Sequence, residues 1–251
     1  KKIIVKILCL TTVSFGLFLQ IYSQSESFNS IAKLVNFSTY TLTTTLSILF
    51  YVLLISIIIV LYHKDLTTKN KKVAKRQILL FIIAGIFFLL SFAFQYSLIP
   101  LFHDITPVKY NSLYALIITI FLYIILAPIT EELFFRKLLI SHFLDSYKYS
   151  PRKAVIISSL IFYLPHFLNA NTGLFILALG LFCSILFLYT NSIKLTIVIH
   201  SITNIFAILF FNGHFVKANI QYANLYGILS FVLMGLAFTV LIVSKKIEIS
   251  V

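Results

Sequence analysis

Two adjacent glutamates lie in the middle of a long apolar stretch of this sequence. The local text is Ala127-Pro-Ile-Thr-Glu-Glu-Leu-Phe-Phe-Arg136, and the chain has only seven acidic residues. A carboxylate at the centre of a bilayer costs at least about 2.5–3.5 kcal/mol to insert, so a tandem pair there points to function. On an α-helix Glu132 and Arg136 share a face and can form an ion pair, whereas Glu131 points about 100° away and can face a cavity. The alternative is that the helix ends here and both acids are interfacial, but apolar residues resume at Leu138.

Two histidines lie within other apolar stretches. His166 directly follows Pro165, which interrupts a helix, frees backbone carbonyls and indicates a cavity. His200 and Asn204 are four residues apart, so their side chains project together from a helix. Each histidine alone is more often a packing residue. Together with two glutamates and an arginine on other apolar stretches, they indicate a site.

These side-chain types suit the hydrolysis of an amide bond. Glu131 can act as a general base on a water molecule, and His166 can share that water or bind a metal that activates it. His200 and Asn204 can donate hydrogen bonds to the oxyanion of a tetrahedral intermediate. The sequence contains neither a serine nucleophile elbow nor a His-Glu-x-x-His zinc motif, so activated water is the predicted nucleophile.

The elements that must position these residues are membrane helices. Of the 251 residues 60% are apolar and 11% charged, against about 45–50% and about 25% in soluble domains. The composition also excludes a disordered chain, and two cysteines exclude a disulfide scaffold.

We predict an all-α, polytopic integral membrane helical bundle that forms a single membrane domain over residues 1–251. A span needs about 20 apolar residues, and about eight transmembrane helices are predicted, at 4–22, 42–62, 77–101, 112–136, 153–170, 173–190, 194–211 and 223–243. The first of them also resembles a signal peptide, although no convincing cleavage site follows it.

The net charge of +13 indicates an orientation in the membrane rather than a polyanionic partner. With the N-terminus inside, 17 of the 20 basic residues are cytoplasmic, and only Lys33, Lys109 and Lys217 lie outside. The positive-inside rule therefore predicts a multi-pass protein with both termini cytoplasmic. The expected partners are membrane lipid and a peptide or membrane-protein substrate, with no nucleic acid. The basic 64–76 loop is expected to be attracted weakly to anionic lipid head groups.

Three motifs together resemble a known family in their order and spacing. The family is the CAAX protease and bacteriocin-processing (CPBP) family of intramembrane proteases, also called Abi, and the resemblance covers roughly residues 112–211. The motifs are Glu131-Glu132-x-x-x-Arg136, Phe162-x-x-x-His166 and His200-x-x-x-Asn204.

The resemblance implies an α-helical endopeptidase whose site opens toward the cytoplasm. It implies that Glu131 and His166 activate water, and that His200 and Asn204 stabilise the oxyanion. Two mechanisms stay open at this point: one with a divalent metal, zinc first among the candidates, bound by Glu131, His166 and His200, and one with a metal-free glutamate and histidine. The full catalytic set implied is Glu131, Glu132, Arg136, His166, His200 and Asn204.

The resulting hypothesis is a CAAX-protease-like intramembrane (metallo)protease in a bacterial plasma membrane. Its expected roles are peptide maturation or bacteriocin self-immunity. The lysine-rich, arginine-poor and tryptophan-free composition indicates an AT-rich bacterium, which disfavours a prenylated substrate. The alternative is a non-catalytic membrane immunity or scaffold protein that binds a bacteriocin or a sensor kinase. A proton-coupled transporter is disfavoured because the two halves of the chain show no repeat symmetry.

Overall fold

The chain folds into apolar helices in all the parts that the structure describes. A computed structural model describes residues 2–22, 25–34, 39–66, 75–102, 113–167, 173–211 and 223–246, and no strand occurs within these ranges. The helices in these ranges are α1 (Lys2–Tyr22), α2 (Glu26–Leu34), α3 (Thr39–Leu66), α4 (Lys75–Phe102), α5 (Leu113–Ser146), α6 (Pro151–Tyr163), α7 (Gly173–Thr190), α8 (Ile193–Phe211) and α9 (Ala223–Lys246).

The predicted membrane helical bundle is confirmed. Among the described residues, four segments are long and apolar enough to cross a membrane, namely Leu42–Val60, Gln77–Phe94, Leu113–Ser146 and Leu225–Ser244. The same ranges contain three shorter apolar helices, at Ile3–Leu19, Phe175–Thr190 and Ile193–Leu209. Each predicted span overlaps one helix, although the 153–170 span extends into residues outside the described ranges. The additional helix, α2, is short and carries charged residues at both ends.

The helix α5 is much longer than one bilayer crossing requires. Its 34 residues extend for about 50 Å at 1.5 Å per residue, against a hydrocarbon core of about 30 Å. Two wider, π-helical stretches, Phe121–Leu126 and Leu133–Ile140, flank the α-helical turns Ala127–Glu132. Pro128 accounts for the first change of geometry, because it has no N–H to donate to the carbonyl one turn earlier. Such π-helical turns are frequent at functional sites, and here they flank both glutamates.

The ends of helix α6 coincide with residues that commonly start or interrupt helices. Ser150 caps its N-terminus by accepting a hydrogen bond from the Lys153 N–H at 3.4 Å, and Pro151 occupies the first helical position. The helix ends at Tyr163, and a tight 3-10 turn over Leu164–His166 follows. The interruption predicted at Pro165 is therefore present.

The contacts divide the chain into two compact units. The first comprises Lys1–Lys69 and Ser112–Ser184, and the second Asn70–Asn111 and Ile185–Val251. In the first unit α6 approaches α7 at small residues, as helices in membranes commonly do. A Cβ built on Gly180 would lie 3.2 Å from the Phe162 ring, and the Ser159 and Ser184 hydroxyl oxygens are 3.3 Å apart.

In the second unit α4 packs along α9 and also contacts α8. Gln77 donates to the Ser244 carbonyl at 3.3 Å, and the Ser230 hydroxyl donates to the Ser91 carbonyl at 3.1 Å. On the face of α4 toward α8, a Cβ built on Gly85 would lie 3.0 Å from the Ile199 Cδ1. The helix α4 thus contacts the turn of α8 that carries His200.

Candidate active site

Both glutamates of α5 are buried, in the interior of a helix that continues well past them. Glu132 is fully buried and Glu131 is 8% exposed. The helix extends for 14 residues beyond Glu132, to Ser146. The helix therefore does not end at the two acids, contrary to the alternative considered from the sequence.

Glu132 forms the ion pair with Arg136 that the four-residue spacing predicts. The Arg136 Nε lies 3.1 Å from the Glu132 Oε2, and the Arg136 Nη2 donates to the Glu132 Oε1 at 3.2 Å. Both side chains are completely buried. An isolated buried charge is very costly, so each of these residues depends on the other.

Glu131 points away from that pair and contacts a different helix. Its Oε1 accepts a hydrogen bond from the hydroxyl of Tyr51, on α3. Sequence reasoning missed Tyr51, which is one of 14 tyrosines and stands in an apolar run without a distinguishing spacing. Only the fold, which brings together residues 80 positions apart, identifies it.

A backbone carbonyl oxygen lies within hydrogen-bonding distance of the His166 ring. Its Nδ1 lies 3.3 Å from the Phe162 carbonyl oxygen, in the last turns of α6. A carbonyl can only accept, so Nδ1 carries the proton in this contact. In the neutral imidazole the Nε2 then holds the lone pair that a general base or a metal ligand uses.

The first two motifs meet in one buried cluster of the first unit. The Arg136 guanidinium lies 4.6 Å from the centre of the Phe162 ring, and the rings of Phe135 and Phe162 pack edge to face at 5.1 Å. The Ser158 hydroxyl of α6 donates to the Phe135 carbonyl at 2.9 Å. The Cys183 thiol of α7 interacts electrostatically with both Glu132 and Arg136. The phenylalanine of the second motif therefore serves both as a platform for Arg136 and as the hydrogen-bond acceptor for His166.

The third motif lies on α8, in the second unit. His200 is 4% exposed, and Asn204 is half-buried one turn later. The hydroxyl of Thr203 donates a hydrogen bond to the Ile199 carbonyl of the same helix at 2.9 Å. The oxyanion role of His200 and Asn204 stays a prediction.

The described part of the chain contains no group of side chains that could form a metal centre. Within the ranges that the structure describes, no three His, Cys, Asp or Glu side chains are grouped so that they could hold a metal ion. The zinc predicted on Glu131, His166 and His200 stays a prediction.

A comparison with known families agrees with the three motifs. Residues 113–206 match the family model described as "Type II CAAX prenyl endopeptidase Rce1-like". No curated protein and no solved structure matches the chain. The matched residues contain all six of the predicted site residues. Residues 113–206 are thus similar to the Rce1-like endopeptidases, in agreement with the resemblance to the CPBP intramembrane proteases.

Proposed function

We propose that this protein is an intramembrane endopeptidase that hydrolyses a peptide bond with water activated by Glu131 and His166. The observation that carries the proposal is the environment of the Glu131 side chain. This carboxylate is buried and hydrogen-bonded inside the segment that matches the Rce1-like family model, next to an ion pair that fixes its own turn of helix. A second acidic side chain beside Glu132 costs free energy to bury in the membrane, so a purely structural role does not explain its presence.

The proposed reaction needs only proton transfers and one nucleophilic attack. Glu131 takes a proton from water while the water oxygen bonds to the scissile carbonyl carbon, and His166 holds that water through its Nε2. The carbonyl oxygen becomes an oxyanion, for which His200 and Asn204 are the expected hydrogen-bond donors. The proton on Glu131 then passes to the amide nitrogen, the C–N bond breaks, and an amine and a carboxylic acid leave.

The proposed substrate is a membrane-associated peptide or protein on the cytoplasmic side of a bacterial plasma membrane. The excess of basic residues in the predicted cytoplasmic segments supports this orientation. The family description names a prenylated substrate, whereas the composition favours a bacterial source. We propose maturation of a peptide, or self-immunity against a bacteriocin, as the cellular role.

Purified protein in lipid vesicles tests the activity directly. The probes are two internally quenched peptides of one sequence, one with a farnesylated cysteine and one without, together with a quenched transmembrane peptide. The variant Glu131→Gln removes the base at nearly constant size and should lower kcat by about 100–10,000-fold on whichever probe is cleaved. The control is Glu26→Gln, the same chemical change at an exposed position of α2, which should retain the wild-type rate.

Retention of cleavage by Glu131→Gln would contradict the proposed mechanism. Absence of cleavage of every probe, together with binding of the peptides by both wild type and Glu131→Gln, would favour the non-catalytic immunity or scaffold role. The same preparations decide the metal question. A zinc enzyme should contain stoichiometric zinc and lose activity with a chelator, whereas a metal-free enzyme should keep its activity.

A further inference from the structure

The contact between Tyr51 and Glu131 joins two parts of the chain that no motif connects. Tyr51 belongs to α3, and the Rce1-like match begins only at residue 113. Its hydroxyl donates to the Glu131 carboxylate, which is the proposed base. The Tyr51 side chain is half-buried, within a span that is long and apolar enough to cross the membrane.

The ring of Tyr51 is held by neighbours of its own. It packs against Phe50 with ring centres 5.9 Å apart, and Phe50 stacks almost parallel on Phe15 of α1 at 4.0 Å. The hydroxyl of Tyr123, on α5, also interacts electrostatically with Tyr51. The Tyr51 ring is therefore held by packing, and its hydroxyl can keep the Glu131 carboxylate in place.

We propose that Tyr51 is a positioning residue for catalysis, which fixes the orientation of the Glu131 carboxylate by donating a hydrogen bond to Oε1. The inference rests on the proposed function, because it assigns Tyr51 a role in the same reaction. A carboxylate on a flexible side chain can rotate about its last bond, and a fixed donor on one oxygen restricts that rotation. Preorganisation of this kind places the base within reach of the attacking water before the reaction begins.

A purely structural reading of the same contact makes a different prediction. A tyrosine hydroxyl inside an apolar span needs an acceptor, and Glu131 could simply provide one. In that case the loss of the hydroxyl alters stability but leaves the turnover of the folded enzyme unchanged. A positioning role instead lowers kcat, while KM stays near its wild-type value because Tyr51 does not touch the substrate.

The first test is Tyr51→Phe, which retains the ring and its packing on Phe50 and removes only the hydroxyl. We expect kcat to fall by about 10–100-fold, the size of effect seen when a hydrogen-bond partner of a metal-ligating side chain is removed, with little change in KM. The control is Tyr22→Phe, the same change on α1, where the Tyr22 ring packs on Phe18 and Phe28. The control variant should keep both constants. The substrate is whichever quenched peptide the wild type cleaves.

The second test is a series of fluorinated tyrosines incorporated at position 51. Added fluorine atoms make the phenol a stronger hydrogen-bond donor with little change in size, so all members of the series should fold. A graded change of kcat along the series is the expected result. A flat series, or a Tyr51→Phe variant with wild-type kcat, would overturn the inference. If Glu131→Gln is inactive while Tyr51→Phe is fully active, only this inference fails, whereas an active Glu131→Gln removes the proposed function itself.

Discussion

At the scale of single residues, the contacts within one helix could be predicted from spacing in the sequence, whereas the contacts between helices could not. The pairing of Glu132 with Arg136 follows from their four-residue spacing, and the structure contains it. The role of Glu131 as the second, separately oriented acid follows from the same helical geometry. Its partner Tyr51 could not be predicted, because a contact over 80 positions depends on how α3 packs against α5.

The buried ion pair leads to a prediction about stability. Replacement of Arg136 by Met leaves the Glu132 carboxylate buried without its cation and also removes the contact with the Phe162 ring. We expect the free energy of unfolding to fall by about 3–5 kcal/mol, and expect the double variant Glu132→Leu/Arg136→Met to recover most of it. Unfolding in mixed detergent micelles measures both. The control is Lys194→Met, at an exposed position of α8. An Arg136→Met variant as stable as the wild type would contradict the account of this pair.

At the scale of helices, strongly apolar segments were predictable and irregular ones were not. The predicted spans all overlap helices, because 18 or more apolar residues leave few alternatives in a membrane. The short α2 lacks such a signal, since Ser, Asn, Glu and Lys interrupt its apolar residues. The π-helical stretches of α5 were also missed, because the hydrogen-bonding pattern of a helix depends on its neighbours as well as on Pro128.

The contact of α1 with the turn before His166 gives a prediction at this scale. A Cβ built on Gly16 of α1 would lie only 2.5 Å from the Cβ of Pro165. Gly16→Ala must therefore push that turn, and with it His166, away from α1. We expect about a tenfold loss of cleavage and a loss of stability of about 1–3 kcal/mol, typical of overpacking.

The matched control for that variant is Gly235→Ala, in α9. Nothing lies within 4 Å of a Cβ built there, and the chemical change is identical. Its higher helix propensity should stabilise the protein by about 0.5–1 kcal/mol without altering cleavage. The role of α1 in supporting the His166 turn would be refuted by equal activities of the two variants.

At the scale of the whole molecule, composition was enough to predict the class of protein. An apolar fraction of 60% and long uncharged stretches indicate a helical membrane protein, and the helices confirm it. The three motifs indicated a resemblance to the CPBP proteases, and the match of residues 113–206 to an Rce1-like family model agrees with it. The division into two compact units was not predictable, because it depends on contacts between helices that are far apart in the sequence.

The orientation in the membrane is a prediction for the molecule as a whole. Because 17 of 20 basic residues fall in the segments expected inside, both ends of the chain should be cytoplasmic. Green fluorescent protein fused after Lys246 should therefore fluoresce, and alkaline phosphatase fused after Lys217 should be active in the periplasm. The opposite pattern of the two reporters would reverse the orientation.

The most direct test of peptide hydrolysis based on Glu131 compares protein termini in living cells. Mass spectrometry would record the termini in cells that carry either wild type or Glu131→Gln at matched membrane levels, and it needs no prior choice of substrate. We expect new termini only with the wild type, and these termini would identify both the substrate and the cleaved bond. Identical termini in the two strains, together with a protective phenotype that Glu131→Gln retains, would contradict the enzyme account and favour a binding or immunity role.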